Sequence, residues 1–214
     1  VKPDMHVVEL GGGTGILSSF AARLGARVSC VERNPELVAC ARRCVDANGL
    51  GDLVTVIQAD ASEFVPDSPV DVVICEMLHV GLLREKQSQV ISAFKKNYTR
   101  AHGPRLPIFI PEASILMSQL VEQSFEFAGY VAPVPMFQAP MVDQLRTREL
   151  SALLPYASLA YHETLPNRFD ASQRVETQAA GTVNAVRFVT QNVLTINMQQ
   201  QRAIVWPNQC LVLP

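Results

Sequence analysis

Five carboxylates and one run of glycines stand where residue type and spacing could do chemistry. Glu9 precedes Gly11-Gly12-Gly13-Thr14-Gly15, Glu32 comes 21 residues after Gly11, and Asp60 is followed by Ala61. Each acid closes, or nearly closes, a short apolar run: "HVVEL", "RVSCVE" and "VTVIQAD". A glycine-rich turn between strand and helix lets a ligand approach the backbone at the helix N-terminus. An acid at the end of the next strand can accept both hydrogen bonds of a ribose diol. Singly, Glu32 reads equally well as a solvated strand end and Asp60 as a cap for the following turn. In order, at three successive strand ends, they outline a nucleotide-like site. Glu76 and Glu85, nine residues apart in "EMLHVGLLRE", follow the apolar run "VDVVI". Two carboxylates on one loop can clamp a guanidinium or amine through charge-assisted hydrogen bonds. Glu85 also reads as an acid favourably placed against the dipole of a helix beginning in "REKQSQ". His79 between them is either a local acid or base, or a solvated loop side chain.

The elements that must carry these residues alternate. "MHVVEL" is an apolar run stopped by glycines, and "ILSSFAARLGA" has helical spacing up to Gly25. "RVSCVE" is a second strand. Asn34-Pro35 opens a second helix that stops near Gly49. "LVTVIQAD" and "VDVVICE" give a third and a fourth strand. Strands alternating with helices predict an α/β fold with a Rossmann-like, doubly wound parallel sheet. From about residue 106 the apolar runs are rich in β-branched residues and prolines punctuate the spaces between them. The expectation is a cofactor-binding domain over 1–109 and a mostly antiparallel β module, sandwich or open barrel, over 110–214. "DQLRTRELSALL" is the one helix-like interlude in the second part.

Dinucleotide binders need a small residue at the sixth place of GxGxxG, where this chain has Ile16. The pattern is instead an acid, one residue, then GxGxG. It resembles motif I of class I S-adenosylmethionine (AdoMet)-dependent methyltransferases. The resemblance implies AdoMet as cofactor, held by Glu9, Gly11, Gly13, Gly15, Glu32, Asp60, Ala61 and the edge at Glu76. Within that class, the segment from Glu76 to Glu85 resembles the double-glutamate loop of the protein arginine methyltransferases. "GGGTGILSSFAARLGA" looks like that family's motif I and following helix, and "IPEASILMSQLVE" like the start of its β-barrel. "WPNQCLVLP" is similar to the segment after the family's Thr-His-Trp loop, although Ile204 and Val205 stand where Thr and His would be. The resemblance makes Glu76 and Glu85 the catalytic, acceptor-binding pair. It implies methyl transfer to a cationic nitrogen on a protein or small molecule, and a homodimer formed through an arm. Residues 137–161 hold the counterpart of that arm or a substrate-covering helix. An RNA or uncharged-metabolite acceptor is the alternative chemistry, and a non-catalytic AdoMet-binding regulator the alternative class.

Composition narrows these readings. The 214 residues are 48% hydrophobic and 18% charged, enough to bury a core with little disorder. A net charge of −2 lacks the basic footprint of most nucleic-acid binders. The five cysteines form no CxxC pair, which points to reduced packing residues and a cytoplasmic setting, without a metal. No apolar run reaches the length of a membrane span, and no signal peptide is visible. The chain opens on Val1 almost directly into a strand, which suits a fragment lacking N-terminal helices.

Overall fold

The computed structural model describes residues 1–82, 84, 86–140 and 142–214. They form two compact units. The first comprises residues 1–77, 86–112 and 161–167; the second comprises the segment beginning at Leu78, residues 113–160 and residues 168–214. The expected boundary at 109/110 thus falls three residues early, and residues 161–167 return to the first unit.

The first unit runs β1 (His6–Leu10), α1 (Ile16–Arg23), β2 (Arg27–Glu32), α2 (Pro35–Ala47), β3 (Val54–Gln58), β4 (Val72–Cys75), α3 (Gln87–His102) and β5 (Ile108–Ile110). All five strands pair in parallel in the order β3-β2-β1-β4-β5. Parallel sheets need cover on both faces, which is why these strands read as continuous apolar runs rather than alternating ones. β4 is buried at every position, and β1 at all but its first. On one face Val7, Val28, Val54, Val72 and Ile74 pack with Ala21, Ala22 and Val45. Elsewhere in the unit Ile91, Phe94 and Tyr98 of α3 are buried, Phe94 meeting Phe109 edge-on. α2 begins as its sequence predicts, with Asn34 accepting from the Glu36 N–H and proline at the first turn.

The chain fills the sheet outward from β1 through β2 to β3, then crosses back to β4. That reversal leaves a crevice beyond the C-terminal ends of β1 and β4, the place where open α/β sheets hold ligands. Leu10 pairs with Cys75 across it.

In the second unit β6 (Ala113–Gln123), β7 (Glu126–Phe127), β8 (Tyr130–Val131), β9 (Met136–Gln138), β10 (Thr147–Glu149), β11 (Leu154–Ala160), β12 (Ala185–Asn197), β13 (Arg202–Pro207) and β14 (Cys210–Leu213) follow in order. Except for the small β7–β8 hairpin they form one antiparallel sheet built on β6 and β12. β10 and β11 share the outer edge of β6, while β13 and β14 share that of β12. Val121, Phe125, Ala185 and Val212 form one buried cluster on it, with Phe127 and Met136 against them. "DQLRTRELSALL" is not helical. Thr147, Arg148 and Glu149 pair with β6, and Ser151 Oγ accepts from the Leu120 N–H. Buried Gln123 and Gln138 both hydrogen bond Thr147 Oγ1, so strand pairing outweighs a local helical propensity. Of the two readings of 137–161, arm counterpart or covering helix, the described residues hold no helix there and carry strands β9, β10 and β11. In the same unit Val80–Leu82 form a 3-10 turn, where the Gly81 N–H donates to Thr190 Oγ1 at 2.7 Å.

Candidate active site

The turn after β1 lies at the crevice. Its carbonyl anchor is Val31, which accepts from the N–H groups of both Gly11 and Gly12. A Cβ at Gly12 would collide with Cys30 Sγ of β2 beneath it. Gly13 has φ near 55°, and a Cβ there would meet no heavy atom within 4 Å. One glycine is therefore needed for close packing below, and another leaves open space above. That combination suits a ligand laid on the backbone.

Glu9 sits under this turn rather than on it. It is 3% exposed, and its Oε2 accepts from the Ser18 N–H at 2.8 Å and from the Ser18 hydroxyl. Ser18 lies in the first turn of α1, so Glu9 satisfies a helix N–H that has no partner within the helix. Burial raises its carboxyl above the ordinary glutamate range; the Ser18 bonds oppose this, and the nearby Glu76 charge adds to it.

Glu32 ties the turn to the second strand. Its Oε2 accepts from the Gly13 N–H at 3.0 Å and its Oε1 from the Asn34 N–H at 2.8 Å. Each carboxylate oxygen has a second lone pair, so this oriented acid retains acceptor capacity beyond those two bonds. Asp60 Oδ1 accepts from the Ser62 N–H and hydroxyl, and those bonds hold its carboxyl below the usual range. Arg33 stands 4.0 Å from its other oxygen in an exposed pair. Ala61 beside it is buried.

Glu76 is exposed and follows Cys75 directly, one residue beyond the Leu10 pairing that leads into the glycines. The Met77 side chain lies 3.1 Å from where a Cβ of Gly11 would stand. β1 and β4 thus bring the glycine turn and Glu76 to one edge. Glu85 lies outside the described residues. His79 belongs to the second unit, where it meets Phe137 edge-on and its Nδ1 lies 3.0 Å from the Val80 carbonyl. Cys30 and Cys75 are buried thiols, pushed up to about 11 and about 12 chiefly by burial. No group of three or more metal-ligating side chains occurs among the described residues.

Sequence reasoning missed Ser18 and Gly12. Ser18 had a visible signal, as a polar residue directly after the apolar pair Ile16-Leu17 and nine residues after Glu9.

Comparison with known proteins agrees with this geometry. Residues 7–99 match a family described as methyltransferase domain. A functionally unassigned protein of Methanothermobacter thermautotrophicus is 31% identical over 85% of this chain and 64% of its own. An arginine N(omega)-methyltransferase of Streptomyces achromogenes is 33% identical over 54% of this chain and 32% of its own. Among solved structures, the protein arginine methyltransferase 1 enzyme–prozyme heterotetramer of Trypanosoma brucei, with AdoHcy, aligns over 98% of this chain and 73% of that one. The TM-score is 0.78 at 20% identity, a likeness of fold. The chain spans less than two-thirds of the length of the first curated relatives it matches. Sheet order, glycine turn and the match over residues 7–99 make this part of the chain similar to the class I AdoMet-dependent methyltransferase domains. Within that class, the chain resembles the protein arginine methyltransferases in sequence and over nearly its whole fold.

Proposed function

We infer that this chain transfers a methyl group from AdoMet to a cationic nitrogen, arginine-like or amine, on a protein or small molecule. The observation that carries this reading is the placing of Glu76 beside the glycine turn, where β4 ends at the sheet reversal. AdoMet, when bound, supplies a methyl group on a sulfonium, open to in-line displacement. Gly13 and Glu32 hold the nucleoside side; Asp60 and Ala61 border it; Glu9 acts through the turn it supports. Glu76, with Glu85, accepts hydrogen bonds from the acceptor cation and aims one nitrogen at the methyl carbon. The nitrogen must give up a proton for its lone pair to react, and a glutamate of the pair takes it. The printed names of the relatives support an arginine-like acceptor, since one acts on arginine and others on protein arginine.

No helix among the described residues is long and apolar enough to cross a membrane. All five cysteines are free thiols, which supports a cytoplasmic setting. A homodimer is proposed by resemblance. A non-catalytic AdoMet-binding regulator is the second reading, favoured by Ile204 and Val205 at the places of Thr and His.

The test is transfer of labelled methyl from AdoMet into cell protein, RNA and a small-molecule extract, with Glu76→Gln beside the wild type. Label in protein or amines that falls by about 10²-fold or more in the variant supports the clamp. Label in RNA, or transfer indifferent to Glu76, overturns it. AdoHcy binding without transfer to any pool favours the regulator.

A further inference from the structure

Gln87 is the first residue of α3, is 1% exposed and, with Tyr161, stands among the largest fully buried side chains of the described residues. Its Oε1 accepts from the Met77 N–H at 2.9 Å. Its Nε2 is buried and has no hydrogen-bond partner among the described residues. An unpaired buried donor is unfavourable, so a side chain of similar volume without that donor, such as methionine, would suit the packing better. What methionine would lack is the acceptor for Met77.

That acceptor holds one particular peptide. Met77 is bonded to Glu76, and its side chain packs against Gly11. Cys75, on the other side of Glu76, is fixed by pairing with Leu10. The Gln87 bond therefore completes a three-point hold on the backbone around Glu76. It ties the Met77 peptide to the start of a 16-residue helix. α3 is itself anchored by buried Val90, Ile91, Phe94 and Tyr98.

We propose that Gln87 is a positioning residue: its amide oxygen, through the Met77 N–H, fixes where Glu76 stands. The proposal rests on the reading of Glu76 as an acceptor-binding carboxylate. It sets a task for a side chain that touches neither cofactor nor acceptor.

Two variants separate this from a packing role. Gln87→Met removes the acceptor together with the unpaired donor. Gln87→Glu keeps an acceptor in the first turn of a helix, where a carboxylate is favoured. Amide hydrogen exchange at Met77, AdoHcy affinity by calorimetry, and kcat and KM with free arginine and an arginine–glycine peptide are measured on each. We expect faster Met77 exchange in Gln87→Met, AdoHcy affinity within about twofold, and a fall in kcat of about 10-fold or more. In Gln87→Glu, exchange returns to the slow range and most of the kcat is recovered. Unchanged Met77 exchange in Gln87→Met overturns the proposal. So does a kcat that does not fall when exchange is released, or AdoHcy binding that weakens in step with kcat. If the wild type methylates neither acceptor, the arginine-like reading of the acceptor fails on that ground, and the anchor stands or falls on Met77 exchange alone.

Discussion

Glu9 shows how a single carboxylate can be conspicuous in sequence and act indirectly in structure. Its place before the glycines marks it for a ligand, yet its oxygen is taken by Ser18. Because burial raises its folded-state value, the folded protein keeps the proton at pH values where the unfolded chain has released it. The stability Glu9 contributes is thus complete below the ordinary glutamate value of 4.5 and is lost as pH rises through the raised value. Denaturant unfolding from about pH 4 to 8 should show the wild type losing ground to Glu9→Gln across that window. A gap independent of pH would mean that Glu9 titrates normally. Gly12 makes a steric prediction. Gly12→Ala should cost about 1–3 kcal/mol and weaken AdoHcy binding, because the new methyl meets Cys30 Sγ. Cys30→Ala in the same chain should restore part of both, and strictly additive losses in the double-mutant cycle would argue against the contact.

At the scale of elements, local signals succeeded where local physics decides the outcome. Asn34-Pro35 caps and opens α2, and glycines end β1, so the βα units were legible residue by residue. "DQLRTRELSALL" misled because its charges and leucines suit a helix, while the edge of β6, distant in sequence, offers backbone partners that settle the matter. Gln87 could not be read from sequence at all. A glutamine at a helix start looks like surface, and only the fold brings Met77 to it. The same elements divide the cysteines. Cys30 and Cys75 lie on buried strands with thiols raised to about 11 and about 12, whereas Cys40 and Cys44 are half-buried on α2. Iodoacetamide at about pH 8 should alkylate the α2 pair first in the native protein, with Cys30 and Cys75 protected until unfolding. Early modification of Cys75, located by mass spectrometry, would contradict the burial of β4.

At the scale of the molecule, the two units differ in how their segments are secured. Between Arg168 and Asn184 the chain is almost all exposed and without strands, apart from one bridge between Ser151 and Thr177. Limited trypsin digestion should therefore cut first at Arg168 or Arg174, before any site within β6 or β12. Primary cleavage at Arg187, which sits in β12, would show that the central sheet opens more readily than the connection.

The first unit is not finished by its own N-terminal stretch. Lys95 of α3 donates to the carbonyls of Tyr161 and Glu163, the Tyr161 N–H donates to the Glu112 carbonyl, and Tyr161 is fully buried. During synthesis the glycine turn and all five parallel strands leave the ribosome before this last piece exists. Strands β6 to β11 must be translated before Tyr161 arrives. The nascent cofactor-binding unit therefore waits for about fifty further residues, a delay of several seconds at ordinary elongation rates, with the seat of Tyr161 still open.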